Sequence, residues 1–307
     1  MRKIHFISAL LIAATLSFTS CNEEALGPSI FDTTPIERTE FDYWLLRHFV
    51  HPFNAEVLYR FEDIESDFFF NLTPADLRLS KKLAQIIKHT WLDAYVEVVD
   101  SAFLRRNMPR IIQFIGSRAL NPDGSEIGGT AEGGLKVTLY NVNGLEMNMS
   151  SIRWKLWIIH HEFAHILHQT IMYDVSFREI TPAYLGQGWM QINQSFGQRG
   201  ALERGSITPY SLSAADEDFV EMFTAYILTD ADAWESLMQI AEGNITIPEN
   251  SGWSSDFTGR DAIERKLEIL KSYMRDVWGL DMDEMRRVSL RRMQEVLTME
   301  FLTFDGK

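Results

Sequence analysis

A single cysteine, Cys21, stands in a chain of 307 residues. No intramolecular disulfide can form, so stability must come from the packed core. The scarcity also leaves any metal site to His, Asp and Glu. Basic residues are few: 29 Lys and Arg face 43 Asp and Glu, for a net charge of −14. That balance argues against nucleic acid, and against electrostatic attraction to an anionic membrane surface. There is no internal repeat. The longest apolar internal stretch, 152–172, is too polar at its centre to span a membrane. Histidine is also scarce, at eight residues, yet four of them fall within His160-His161-Glu162-Phe163-Ala164-His165-Ile166-Leu167-His168.

That stretch contains H-E-x-x-H. On a helix His161 and His165 lie one turn apart and point the same way, as two imidazoles must to grip one metal ion. Glu162 sits one step round the helix, where it can take a proton from a water. The helix is argued by its surroundings. Residues 152–172 hold no Gly and no Pro. Trp154, Ile158, His161, His165 and His168 form one stripe at helical spacing. Ser150 and Ser151 stand ready to cap its start. Glu162 is the only formal charge between Leu156 and Tyr173, and a lone carboxylate in so apolar a helix needs a partner.

A hydrolytic zinc takes three protein ligands and keeps one position open. The position ten residues after His161, where another zinc class has a third histidine, is Ile171. His168 lies on the right face but one further turn along the same rigid helix, which favours a role in orienting a ligand. A stronger candidate is Asp216-Glu217-Asp218-Phe219-Val220-Glu221-Met222-Phe223. Glu217 and Glu221 share a helical face at a spacing where like charges repel. Glu221 is the only charge from Phe219 to Thr229, in a helix apolar nearly all round. A divalent cation with its histidines would satisfy both, one carboxylate on the metal and the other on an imidazole N–H. Ser213 as cap and acids at the helix dipole explain Asp216, Glu217 and Asp218, but not Glu221.

The N-terminus has the form of a targeting segment. Arg2 and Lys3 precede a mostly apolar run from Ile4 to Phe18, followed by Thr19-Ser20-Cys21. This resembles the lipobox of bacterial lipoproteins, with Phe18 where Leu is usual, and implies lipidation of Cys21. Loss of residues 1–20 would take the charge to −16, leaving the lipid to do the anchoring. Asn22-Glu23-Glu24 resembles the surface-export signal of Bacteroidota lipoproteins.

Residues 21–40 read as a flexible tether, and 41–307 as one folded domain. Within it, helices are expected at 41–50, at 74–103 with Thr73 as cap, and at 214–229, 232–242, 261–278 and 281–301. Strands are expected at 111–115 and at 135–142, the latter alternating in burial. The Gly-rich segment 121–134 reads as a loop, and 173–211 as an irregular wall to the cleft in which Tyr184 and Trp189 are expected mainly to pack. The fold class is α+β, mostly helical, with a small sheet before the active-site helix.

H-E-F-x-H followed by E-x-F-x-E resembles the gluzincin metallopeptidases of the lethal-factor-like type. The resemblance covers about residues 152–230 and implies a zincin-like domain. It makes Glu217 the third zinc ligand, Glu221 the group that orients a ligand histidine, and Tyr210 an aid to the transition state. The whole chain resembles a narrower group, the zinc metallohydrolase lipoproteins encoded beside outer-membrane substrate-import systems of Bacteroidota. Together these imply one Zn²⁺, an endopeptidase acting on peptides or glycoproteins, and an outer-membrane lipoprotein on the cell surface or its periplasmic face, associated with a transporter complex. Two other readings are a non-catalytic zinc-containing component of such a complex and a glycan-binding surface protein. The retained Glu162 opposes the first, and the shortage of strands the second.

Overall fold

The computed structural model describes residues 37–121, 126–132, 134–243 and 258–304. The leader, Cys21 and most of the tether lie outside the described residues.

The chain enters through α1 (Glu40–Leu45), opened by a capping box in which Thr39 and Asp42 bond each other reciprocally. A π-helical turn (Leu46–Val50) leads towards β1 (Glu56–Leu58). The single helix expected over 74–103 is divided. It starts late because Asp76, not Thr73, caps it, accepting from Leu79 N at 2.8 Å. It runs as α2 (Leu77–Ile87), a π-helical turn (Lys88–Leu92) and α3 (Asp93–Val98). Val99 then leaves helical backbone, and Asp100 caps a new helix, α4 (Ser101–Asn107).

β2 (Ile111–Phe114) follows, then β3 (Ala119–Leu120), β4 (Glu126–Ile127), β5 (Gly129–Glu132) and β6 (Lys136–Leu139). The main sheet has the order β1-β2-β6-β5, with β5 antiparallel to β6 and the other pairs parallel. Segment 121–134 is therefore not simply a loop: it carries the edge strand. Its glycines hid that strand from the sequence because they are selected by crowding. A Cβ on Gly129 would fall 2.3 Å from Ile158 Cγ2 and 2.9 Å from Thr138 O. Nor does β6 alternate, since Val137, Thr138 and Leu139 are all buried, as in a parallel strand covered on both faces.

The long helix α5 (Met149–Thr170) crosses behind this sheet. Asn148 caps it, accepting from Ser151 N at 2.9 Å; Ser150 and Ser151 already lie inside the first turn. Segment 173–211, expected to be irregular, contains α6 (Ser176–Ile180) and α7 (Trp189–Leu202), the latter kinked at Gly197 with φ of 58°. Tertiary contacts carry the short α6 and the glycine-interrupted α7 despite poor propensity. α8 (Ala215–Leu228), α9 (Ala231–Ala241), α10 (Gly259–Trp278) and α11 (Met282–Val296) complete the domain. Ser213 does not cap α8; the cap position is Ala214, without a side-chain bond. The fold is α+β and mostly helical, as the sequence indicates. Among the described residues no helix is long and apolar enough to cross a membrane.

The core fixes α5 from behind. Phe163 is fully buried and meets Trp91, Tyr95 and Phe103 edge-on at 5.4, 5.1 and 5.9 Å between centroids. His160 faces the same way, its Nδ1 3.1 Å from Tyr95 Oη, and burial pushes its pKa down to about 3, so it is neutral. Lys155 donates to Tyr140 O and Asn141 O at 2.8 and 2.9 Å, tying the helix to the end of β6. The adjacent pair His160-His161 is thus divided between two environments, one ring in the core and one facing outward.

Candidate metal centre

α5 and α8 bring the separated motifs together. His161 Nε2, His165 Nε2 and Glu217 Oε2 form a triangle with all three sides 3.2 Å. A tetrahedral zinc with bonds of about 2.0–2.1 Å spaces its ligand atoms about 3.3 Å apart, so the set fits that ion. The chemistry of the donors points the same way. Glu217 and Glu221 both converge on the ring of His161, at 3.2 and 2.7 Å, so a proton or a cation must lie between Glu217 and the ring. With a proton supplying that charge, burial opposes the imidazolium, but hydrogen bonds to Glu217 and Glu221 outweigh burial and raise the His161 pKa to about 10. Glu217 is likewise opposed by burial and carried down to about 2 by the two histidines. A divalent cation supplies the same charge to more partners at once.

The orienting contacts are well defined. Glu221 accepts from His161 Nδ1 and Trp157 Nε1 on one oxygen, at 2.7 and 2.9 Å, and from Thr208 Oγ1 on the other, at 2.6 Å. Its burial among apolar neighbours is thereby compensated. His168 is buried with its Nε2 2.9 Å from His165 Nδ1, on the side of that ring away from the triangle. Trp157 and Thr208 were not foreseen. Trp157 lies four residues before His161, a spacing that could have drawn attention to it.

Three successive acids open α8, and each has a different partner. Asp216 accepts from Tyr173 Oη and Arg178 at 2.6 and 2.9 Å. Glu217 faces the histidines. Asp218 meets Lys266 at 2.5 Å with neither side chain exposed, and also accepts from Tyr184 Oη at 3.0 Å. Burial works against both charges of that pair; their proximity opposes it, helped by the bond from Tyr184 to Asp218 and by the bond of 2.8 Å from Lys266 to Gly205 O. Tyr184 packs as expected, whereas Trp189 lines the cleft and meets Tyr210 edge-on at 5.3 Å.

The cleft holds about 680 Å³. His161, Glu162 and Tyr210 line it. Glu162 is 8% exposed, and burial pushes its carboxyl above the usual range. Tyr210 lies 6.1 Å from His161 between ring centroids. Burial, then the charges of Glu217, Glu221 and Glu162, hold its hydroxyl well above the ordinary phenol value, so it remains a proton donor.

An H-E-x-x-H helix crossed by a carboxylate-bearing helix beside a small sheet defines a zincin-like α+β metallopeptidase fold. The chain belongs to the family described as "putative zinc-binding metallo-peptidase", whose model matches residues 34–283. A crystal structure from Bacteroides caccae with the same description is 37% identical, with a TM-score of 0.68 over 89% of this chain and 98% of that one. No curated protein matches.

Proposed function

We propose that the protein is a zinc-dependent endopeptidase of the gluzincin type, anchored by lipid at Cys21. The observation that carries this is the 3.2 Å triangle of His161, His165 and Glu217 with Glu162 beside it in an open cleft. One zinc held by those three residues supplies Lewis acidity towards the scissile carbonyl and the attacking water. Glu162 takes the water's proton and delivers it to the leaving amine, a task suited to a carboxylate whose affinity for protons burial has raised. Tyr210 donates to the oxygen on which charge develops. Glu221 fixes the tautomer of His161, and His168 that of His165.

The leader and Cys21 support attachment to the outer membrane. The acidic pair after Cys21 supports exposure at the cell surface, with the periplasmic face as the alternative. Peptides or glycoproteins are the substrates, cut for import by a neighbouring outer-membrane transporter; nucleic acid is not a partner. A non-catalytic role is less well supported, because Glu162 lines the cleft and His168 turns away from it.

The test is digestion of a peptide library by the zinc-loaded protein, beside Glu162→Gln. Both proteins should hold one zinc, and only the first should cut. Equal cutting by both would remove Glu162 from the reaction, and zinc-loaded protein inert on every peptide would overturn the endopeptidase reading.

A further inference from the structure

The cleft extends well beyond the metal centre, along one face of α5. Arg153, Trp154, Trp157 and Ile158 lie on that face ahead of His161 and Glu162, and all six line the cavity. Arg153 is the unusual member. It donates to a neutral hydroxyl, Thr229 Oγ1, at 2.7 Å, and among the described residues no carboxylate lies at ion-pair distance. Asp230 acts on it only at longer range, and burial opposes its charge. Of the three acids lining the same cavity, Glu126 faces Arg118 at 3.6 Å, Glu221 is bonded to His161 and Trp157, and Glu162 lies nine residues further along α5. The cleft therefore presents a half-buried guanidinium with open donors in a cavity also lined by the indoles of Trp154 and Trp157, where a bidentate carboxylate contact is strong.

Its position relative to the reacting bond follows from the helix. Arg153 and His161 are eight residues apart, about 12 Å along the axis. An extended peptide covers about 3.3–3.6 Å per residue, so the guanidinium stands roughly three residues from the bond to be cut. The direction follows from the sheet once a peptide is taken to add antiparallel to its edge. β5 is the edge strand and runs the same way as α5: a Cβ on Gly128 would meet Trp154 and Ile158, and one on Gly134 would meet Ile166. A peptide paired antiparallel on that edge sends its C-terminal part towards Arg153.

We propose that Arg153 is the specificity residue of the cleft, selecting substrates with a carboxylate roughly three residues to the C-terminal side of the cut. The carboxylate is an Asp or Glu side chain or the free C-terminus. This rests on the endopeptidase reading above.

The experiment uses the zinc-loaded protein and matched peptides. One set carries Glu or Gln at the second to fourth positions after the cut; the other ends there in a free acid or an amide. The acid should be favoured over its amide partner by about tenfold or more in kcat/KM, mostly through KM. The two sets tell side-chain from terminal carboxylate. In Arg153→Gln the acid-to-amide ratio should fall to near one, in Arg153→Glu it should invert, and in Arg153→Lys it should lie between. Melting temperature and zinc content check that each variant is folded. If no peptide is cut, titration of the same pairs into Glu162→Gln protein, followed by tryptophan fluorescence, decides separately. Tighter binding of the acid that Arg153→Gln abolishes would uphold the site even if the peptidase reading fell. No acid preference in the wild type, or one that survives in Arg153→Gln, would overturn it.

Discussion

Glu221 accepts a 2.7 Å hydrogen bond from Nδ1 of His161, a residue sixty positions earlier, and so decides which ring nitrogen faces the candidate metal centre. The ring is held on one side by a carboxylate on α8 and offers its other nitrogen to the space shared with His165 and Glu217. Glu217 and Glu221 of α8 stand one turn apart yet do different work, because the helix crosses α5 with Glu217 at a corner of the triangle and Glu221 behind the ring.

That division predicts metal contents. Glu217→Ala should lose its zinc, measured by metal analysis of purified protein. Glu221→Ala should still bind one ion, with affinity lower by about 10–100-fold. The opposite pattern would exchange the two roles.

Trp157 donates to the same Glu221 oxygen as His161. Trp157→Phe removes the indole N–H while keeping an aromatic ring. Zinc affinity should fall several-fold, read by competition with a chelator, with little change in melting temperature of the metal-free protein. Unchanged affinity would make the contact incidental.

Tyr210 keeps its proton because burial and three carboxylates disfavour the phenolate. Tyr210→Phe should lower kcat by about 10²-fold with zinc content unchanged. A full rate in the variant would place the oxyanion elsewhere.

Acid stability should reflect Asp42. Burial opposes its charge, but bonds from Arg60, Thr39 and Tyr59 bring its pKa from 3.8 down to about 2. A carboxyl depressed in the folded state stabilises it fully above pH 3.8 and loses that contribution as the pH falls to about 2. Asp42→Asn should cost about 1–2 kcal/mol at pH 7, discounted because the Arg60 side chain is 45% exposed, and the difference should vanish near pH 2. Urea midpoints across that range measure it.

Lys266 and Asp218 form a wholly buried pair at 2.5 Å. Lys266→Met strands a carboxylate and should cost about 3–5 kcal/mol, whereas the double change with Asp218→Asn should recover part of that loss. Denaturant midpoints of the three proteins distinguish this coupling from simple loss of packing.

Much of the centre was legible in the sequence because its geometry is local. His161 and His165 share a face wherever a helix forms, and so do Glu217 and Glu221. The solitary charges of Glu162 and Glu221 in apolar helices signalled compensation from elsewhere. The errors fell where local preference was overruled. Gly129 looked like loop chemistry, but a side chain there would collide with Ile158. Ser213 looked like a cap, but Ala214 occupies that position. The helix expected at 74–103 breaks at Val99, whose backbone leaves helical geometry. Helices α6 and α7 were missed because their stability comes from packing, which periodicity in a glycine-rich segment does not reveal.

The sequence by itself determined the helical class, the pair of histidines and the supply of carboxylates, since helical period and residue chemistry are carried by neighbours along the chain. Only the tertiary structure decided that Glu217 closes the triangle, that Trp157 and Thr208 share Glu221, and that Arg153 looks into the cleft. Those contacts depend on how α5, α8 and β5 settle against a common core, and a fraction of a turn or an ångström of displacement would reassign them.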